Sequence, residues 1–64
     1  MTWELYEVWA EDEDGHERLV DTTKSRKEAI GLARKTVNEG SVLAKVFRET
    51  EDGDYEEIEI ISSD

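Results

Sequence analysis

The stretch Thr2–Ala10 reads Thr-Trp-Glu-Leu-Tyr-Glu-Val-Trp-Ala, with apolar residues on both parities. Successive side chains of a strand point to opposite faces. One face of this segment therefore carries Trp3, Leu5 and Trp9, and the other Tyr6, Val8 and Ala10. Ser41–Arg48 repeats the pattern, with Val42, Ala44 and Val46 on one parity and Leu43 and Phe47 on the other. In Asp54–Ile61 the isoleucines Ile58 and Ile60 alternate with Glu57 and Glu59, the signature of a half-exposed strand. Two Asp-Gly pairs, Asp14-Gly15 and Asp52-Gly53, sit between strand-like runs. Such pairs signal hairpins, because the turn needs positive φ. The first hairpin pairs Thr2–Ala10 with about Glu17–Thr22 through Glu11–His16, and the second pairs Val42–Glu49 with about Asp54–Ile61.

Between the hairpins the period changes from two to that of a helix. Ser25-Arg26-Lys27-Glu28 spells a capping box, in which the serine oxygen accepts from the third helical amide and the glutamate reaches back. Ala29, Ile30, Ala33 and Val37 follow at helical spacing, flanked by Leu32 and Thr36, and Asn38-Glu39-Gly40 provides a stop. The pattern predicts an α+β fold of ββαββ order: a four-stranded, mainly antiparallel sheet with one helix packed on one face. The domain spans residues 1–61, with 62–64 as a loose tail. The first and third strands, apolar on both parities, belong in the centre.

One helix covers one sheet face. Tyr6, Val8, Val42, Val46, Ile58 and Ile60 are expected beneath it, because the opposite parity of the first strand would bury Glu7. The outer face then shows Trp3, Leu5, Trp9, Leu43, Phe47, Tyr55 and Ile61, interrupted by Glu7, Lys45, Glu57 and Glu59. Those aromatics need a second copy or a partner to cover them.

The hairpin–helix–hairpin plan, with Ser25-Arg26-Lys27-Glu28-Ala29-Ile30-Gly31-Leu32-Ala33 opening the helix, resembles small bacterial and phage domains of unknown function. Size and acidity also resemble those of small phage proteins that imitate DNA. The resemblance implies an architecture and supplies no substrate or catalytic residue.

Composition sharpens the partner question. The chain has 64 residues, no cysteine and a formal charge of −10. A domain of this size buries only about 60% of its unfolded surface, so association is a common source of added stability. No apolar run approaches a membrane span, and the acidic start is unlike a secretory signal, so a cytoplasmic protein is the default expectation. The charge is unevenly spread. Residues 1–22 hold eight acids against Arg18, residues 23–40 hold five bases against Glu28 and Glu39, and residues 41–64 hold eight acids against Lys45 and Arg48. The strands are thus acidic and the helix basic, which disfavours free nucleic acid as a partner of the whole molecule.

Candidate chemistry is sparse. Asp12, Asp14 and Asp21 fall on calcium-loop positions, but Ala10 stands where the first ligand belongs and the flanking helices are missing, so solvated turn acids are the better reading and no metal is expected. The second turn, Glu51-Asp52-Gly53-Asp54, fits less well, with Arg48 and Thr50 at its ligand positions. His16 is the only histidine and has no nucleophile to serve, and Glu57 with Glu59 reads as a pair of edge charges. Lys24, Arg26 and Lys27 crowd a helix start whose dipole prefers anions. Either nearby carboxylates neutralise them, the favoured reading, or they form an anion site. Gly31 is placed on the solvent side of the helix with no evident purpose.

The pattern therefore predicts a non-enzymatic protein-interaction module without cofactor. It self-associates as a homodimer or binds a protein partner through Trp3, Leu5, Trp9, Leu43, Phe47 and Tyr55. The alternative is an acidic inhibitor that mimics nucleic acid in a basic groove of its target. No membrane or small-molecule partner is indicated.

Overall fold

A computed structural model of the chain describes residues 3–63. The strands are β1 (Glu4–Glu11), β2 (Glu17–Thr23), β3 (Leu43–Thr50) and β4 (Tyr55–Ser62), and the helix α1 is Arg26–Asn38. The sheet has the order β2-β1-β3-β4 with every neighbouring pair antiparallel. The ββαββ fold and the central placement of β1 and β3 follow the apolar pattern. The expected strand start at Thr2 and the tail residue Asp64 lie outside the described residues. Ser62 belongs to β4, and the Ser63 amide donates to the Val42 carbonyl at 3.0 Å, so order runs past the expected domain end.

Both hairpin turns close as their Asp-Gly pairs require. Gly15 and Gly53 take φ of 83° and 92°. In the first turn the Asp12 carboxylate accepts from the amides of Asp14 and His16 at 3.0 and 3.1 Å. In the second, the Gly53 amide donates to the Thr50 carbonyl at 3.0 Å. Because Glu4 pairs with Thr50 and Glu11 with Leu43, these acidic turns lie at opposite ends of the sheet.

Ser25 caps the helix, its hydroxyl accepting from the Glu28 amide at 3.3 Å. The reciprocal half of the capping box differs from expectation. Glu28 accepts from the Thr23 hydroxyl at 2.9 Å, and the Thr23 oxygen in turn accepts from the Ser25 amide at 3.2 Å. The last residue of β2 thus relays the cap and ties the strand to the helix.

The helix packs against β1 and β3 through small side chains. Ala29, Ala33, Ala44, Val8 and Val46 are fully buried, with Tyr6 and Val37 joining the same cluster. Val8 and Val46 are partners in the ladder. The register shifts between Val8 and Trp9 on the β2 side, and between Val46 and Phe47 on the β4 side. Each edge strand carries an extra residue there, and the extra residues Val20 and Ile58 both pack against the core. A β-bulge of this kind also blunts a sheet edge.

The β4 bulge corrects three expectations. Beyond it the alternation is inverted, since Ala44 pairs with Ile61 and Lys45 with Ile60. Ile61 therefore packs on the helix-side core, although the unbroken pattern placed it outside. Ile60, expected under the helix, is 52% exposed on the outer face. Glu59, expected outside, pairs with buried Val46. Val42 is a separate correction. It precedes β3 and is 36% exposed, not part of the core.

Candidate protein-docking face

The sheet face away from the helix is built in rows set by the register. Leu19, Trp9, Lys45 and Ile60 form one row, and Thr22, Glu7, Phe47 and Glu57 the next. Leu5 and Tyr55 flank Glu49, and Leu43 pairs with Glu11. Leu5, Trp9, Leu43 and Phe47 are half-buried, while Trp3, just before β1, is exposed. The six residues singled out from the sequence are thus Trp3 at the strand entrance and five side chains gathered on one face. Two further residues join them: Ile60, which the β4 bulge turns outward, and Leu19, whose strand the sequence pattern assigned to no face.

Within this face Glu7 is a hub. Its Oε1 accepts from the Trp9 indole N–H at 3.1 Å and from the Tyr55 hydroxyl at 2.7 Å. Tyr55 reaches Glu7 from β4 by lying over Phe47 of β3, with ring centroids 5.2 Å apart and planes 7° from parallel. Such offset stacking is a favourable aromatic arrangement. Desolvation, then the hydrogen bond to Glu7 and its charge, push the Tyr55 hydroxyl up to about 12. With Tyr55 53% exposed, the hydrogen bond is the firmer of these causes. The hydroxyl therefore remains a donor across the physiological range.

No cation reaches Glu7 among the described residues. Lys45, in the adjoining row, turns instead to Glu17, with Nζ 3.1 Å from its carboxylate, and that hydrogen bond raises the lysine above its ordinary value. The other ion pairs lie on the opposite side of the sheet, where Arg48 contacts Glu4 and Glu56. Tyr6 donates to Glu4 at 2.6 Å on that side, and this bond, with burial, raises its hydroxyl.

The weaker candidates separate. Glu57 and Glu59 do not form a pair, because the bulge after Val46 sends them to opposite sides of β4. Asp21 lies in β2 and accepts from its neighbour's amide, apart from the first turn. The ligand atoms that do converge are those of Asp12, Asp14 and His16, within 4.8 Å of one another and all exposed. Asp12 Oδ1 is already engaged in ordering the turn. The expected neutralisation of the helix start is not found. Lys24, Arg26 and Lys27 form no ion pair among the described residues, and neither do Arg34 and Lys35. Arg26, Lys27 and Arg34 surround an open groove of about 470 Å³ floored by Ile30 and Gly31.

No protein-family model, curated protein or solved structure matches the chain. Among the described residues no helix is long and apolar enough to cross a membrane.

Proposed function

We propose that this chain is a small non-enzymatic protein-interaction module that docks on a basic protein surface through the outer face of its sheet. One observation carries the reading: most of the large apolar side chains of the sheet lie on its uncovered side. Apart from Tyr6, the buried strand residues under the helix are valines and alanines, whereas Trp9, Phe47, Leu5 and Leu43 stand half-buried, and Tyr55 and Ile60 exposed, on the uncovered side. Folding alone would favour the large side chains inside, where they remove most apolar area from water. Aromatic side chains on a rigid sheet are instead the usual anchors of protein interfaces. The carboxylates of Glu7, Glu11, Glu17, Glu49 and Glu57 around them, against Lys45 alone, would steer the face towards positive surfaces.

Elongation gives some support to a second reading, an acidic mimic of nucleic acid. The long axis extends 39 Å, with an acidic turn at each end. Both readings share a basic partner, and salt separates them. A complex held by the acidic turns weakens steeply with ionic strength, whereas one held by the aromatic face weakens little.

The test is co-precipitation from the native host with wild type and Phe47→Lys as baits, followed by reconstitution with the purified partner. A partner retained by wild type and lost by Phe47→Lys, with backbone spectra of the two baits superimposable, is the expected result. A partner that binds both baits equally sinks the outer-face reading.

A further inference from the structure

We infer that the partner of the outer face must bring a cation, an arginine or lysine side chain, to Glu7, and that a second copy of this chain is not the partner. The inference rests on the outer-face reading. Glu7 sits between Thr22 and Phe47 in the middle rows of the face and is half-buried before anything docks. Both of its known donors, Trp9 and Tyr55, converge on the same oxygen, Oε1, and both are neutral. A body covering Trp9, Phe47 and Tyr55 necessarily covers the carboxylate that two of them hold. Burying an ionised carboxylate is strongly unfavourable unless an opposite charge with good geometry comes with it. Among the described residues the chain supplies none, since the neighbouring ammonium of Lys45 is paired with Glu17.

The same geometry speaks against a face-to-face dimer. Two copies would bury two Glu7 carboxylates, with Glu57 and Glu49 nearby, and the one cation each face offers, Lys45, is already paired with Glu17. An arginine fits best in chemical terms. Its planar fork can pair with the free Glu7 oxygen while its face lies on the exposed side of Tyr55, whose other side is taken by Phe47.

The experiment uses the intact chain and a defined probe, a capped extended octapeptide alternating arginine and leucine. Counterparts with glutamine or glutamate for arginine serve as controls. Nuclear magnetic resonance follows the Trp9 indole N–H and the backbone amides. Only the arginine peptide should give saturable shifts, centred on Glu7, Trp9, Phe47 and Tyr55. Glu7→Gln keeps an oxygen for Trp9 and Tyr55 to bond and removes only the charge. It should weaken binding about tenfold or more, as loss of a desolvated charge partner does. Glu57→Gln removes the same net charge from the same face and should change affinity far less. At sub-millimolar concentration wild type should sediment as a monomer, with Glu7→Gln the more prone to associate.

Equal weakening by Glu7→Gln and Glu57→Gln would reduce the effect to general steering and overturn the inference, leaving the outer face as a docking surface. Equal binding of the glutamine peptide, no saturable binding of the arginine peptide, or a wild-type dimer through this face would overturn it as well. Shifts confined to α1 would overturn the outer-face reading itself.

Discussion

The two faces of the sheet use opposite strategies. Apart from Tyr6, the core of the helix-covered face is built mainly from valine and alanine, so that α1 can settle close on Val8, Ala44 and Val46. The outer face carries larger side chains next to these positions, with Trp9 beside Ala10 and Phe47 beside Val46, and leaves them partly exposed. On the proposed reading, stability and recognition are divided between the two sides of the same strands. A small core holds the sheet to the helix, and most of the large apolar groups lie on a surface that no other described element covers.

The division predicts a large effect on one side and a modest one on the other. Val8→Ala removes fully buried methyl groups and leaves a hole between β1 and α1 that close packing cannot readily refill, costing about 2 kcal/mol. In a domain this small that is a substantial fraction of the whole. Phe47→Ala, although it deletes far more atoms, should cost only about 1 kcal/mol, mostly the lost stack on Tyr55. Urea denaturation of the two variants side by side decides the matter. If Phe47→Ala proves the more damaging, the outer face is part of the domain's own core and the comparison collapses.

Titration sharpens the outer side. The folded Tyr55 hydroxyl is raised from its ordinary 10.0 to about 12. A raised folded value means that the protonated form is favoured in the native state. Its contribution to stability is complete below pH 10 and is lost as pH climbs from about 10 towards about 12. The absorbance difference between wild type and Tyr55→Phe should show a phenolate transition near the upper value. Glu7→Gln should bring that transition down towards 10, because it removes the carboxylate charge that holds the proton. A transition unmoved by Glu7→Gln would mean that the hub is not formed in solution.

The sequence made some of this organisation legible. Asp14-Gly15, Asp52-Gly53, Ser25 and Gly40 punctuate the chain chemically, and each ends or begins an element where its residue type demands. The double-sided apolar pattern of β1 and β3 placed them in the centre, and Glu7 fixed which side of β1 faces out. What stayed hidden was long-range. A bulge depends on how many residues one strand sets against its partner, and no glycine marks either one here. Parity counted through Ile58 therefore misassigned Glu59, Ile60 and Ile61. The hydrogen bonds of Glu7 were equally hidden, since Tyr55 lies 48 positions away and meets it only because Phe47 stands between them. The unpaired helix bases had no local signal either. The abundance of acids in the chain suggested neutralisation, but many strand carboxylates lie on the far side of the sheet, and on the helix side Glu4 and Glu56 pair with Arg48.

Those bases make the helix a further competitor for the docking role, beside the acidic turns, and Gly31 offers the smallest and most discriminating test. It lies on the exposed side of α1 between Ile30 and Arg34, and a methyl group added to it would meet nothing within 4 Å. Glycine in a helix interior costs about 0.5–1 kcal/mol relative to alanine through the backbone freedom lost on folding. Gly31→Ala should therefore raise stability by about that amount in urea denaturation. Partner binding is then measured with the same protein. Higher stability with unchanged binding leaves recognition on the sheet face and makes Gly31 incidental. Higher stability with lost binding means that a partner backbone approaches the helix at Gly31, and recognition moves to the basic groove of Arg26, Lys27 and Arg34. A loss of stability would contradict the open space beside Gly31, and with it the seating of Ala29, Ala33 and Val37 against the sheet.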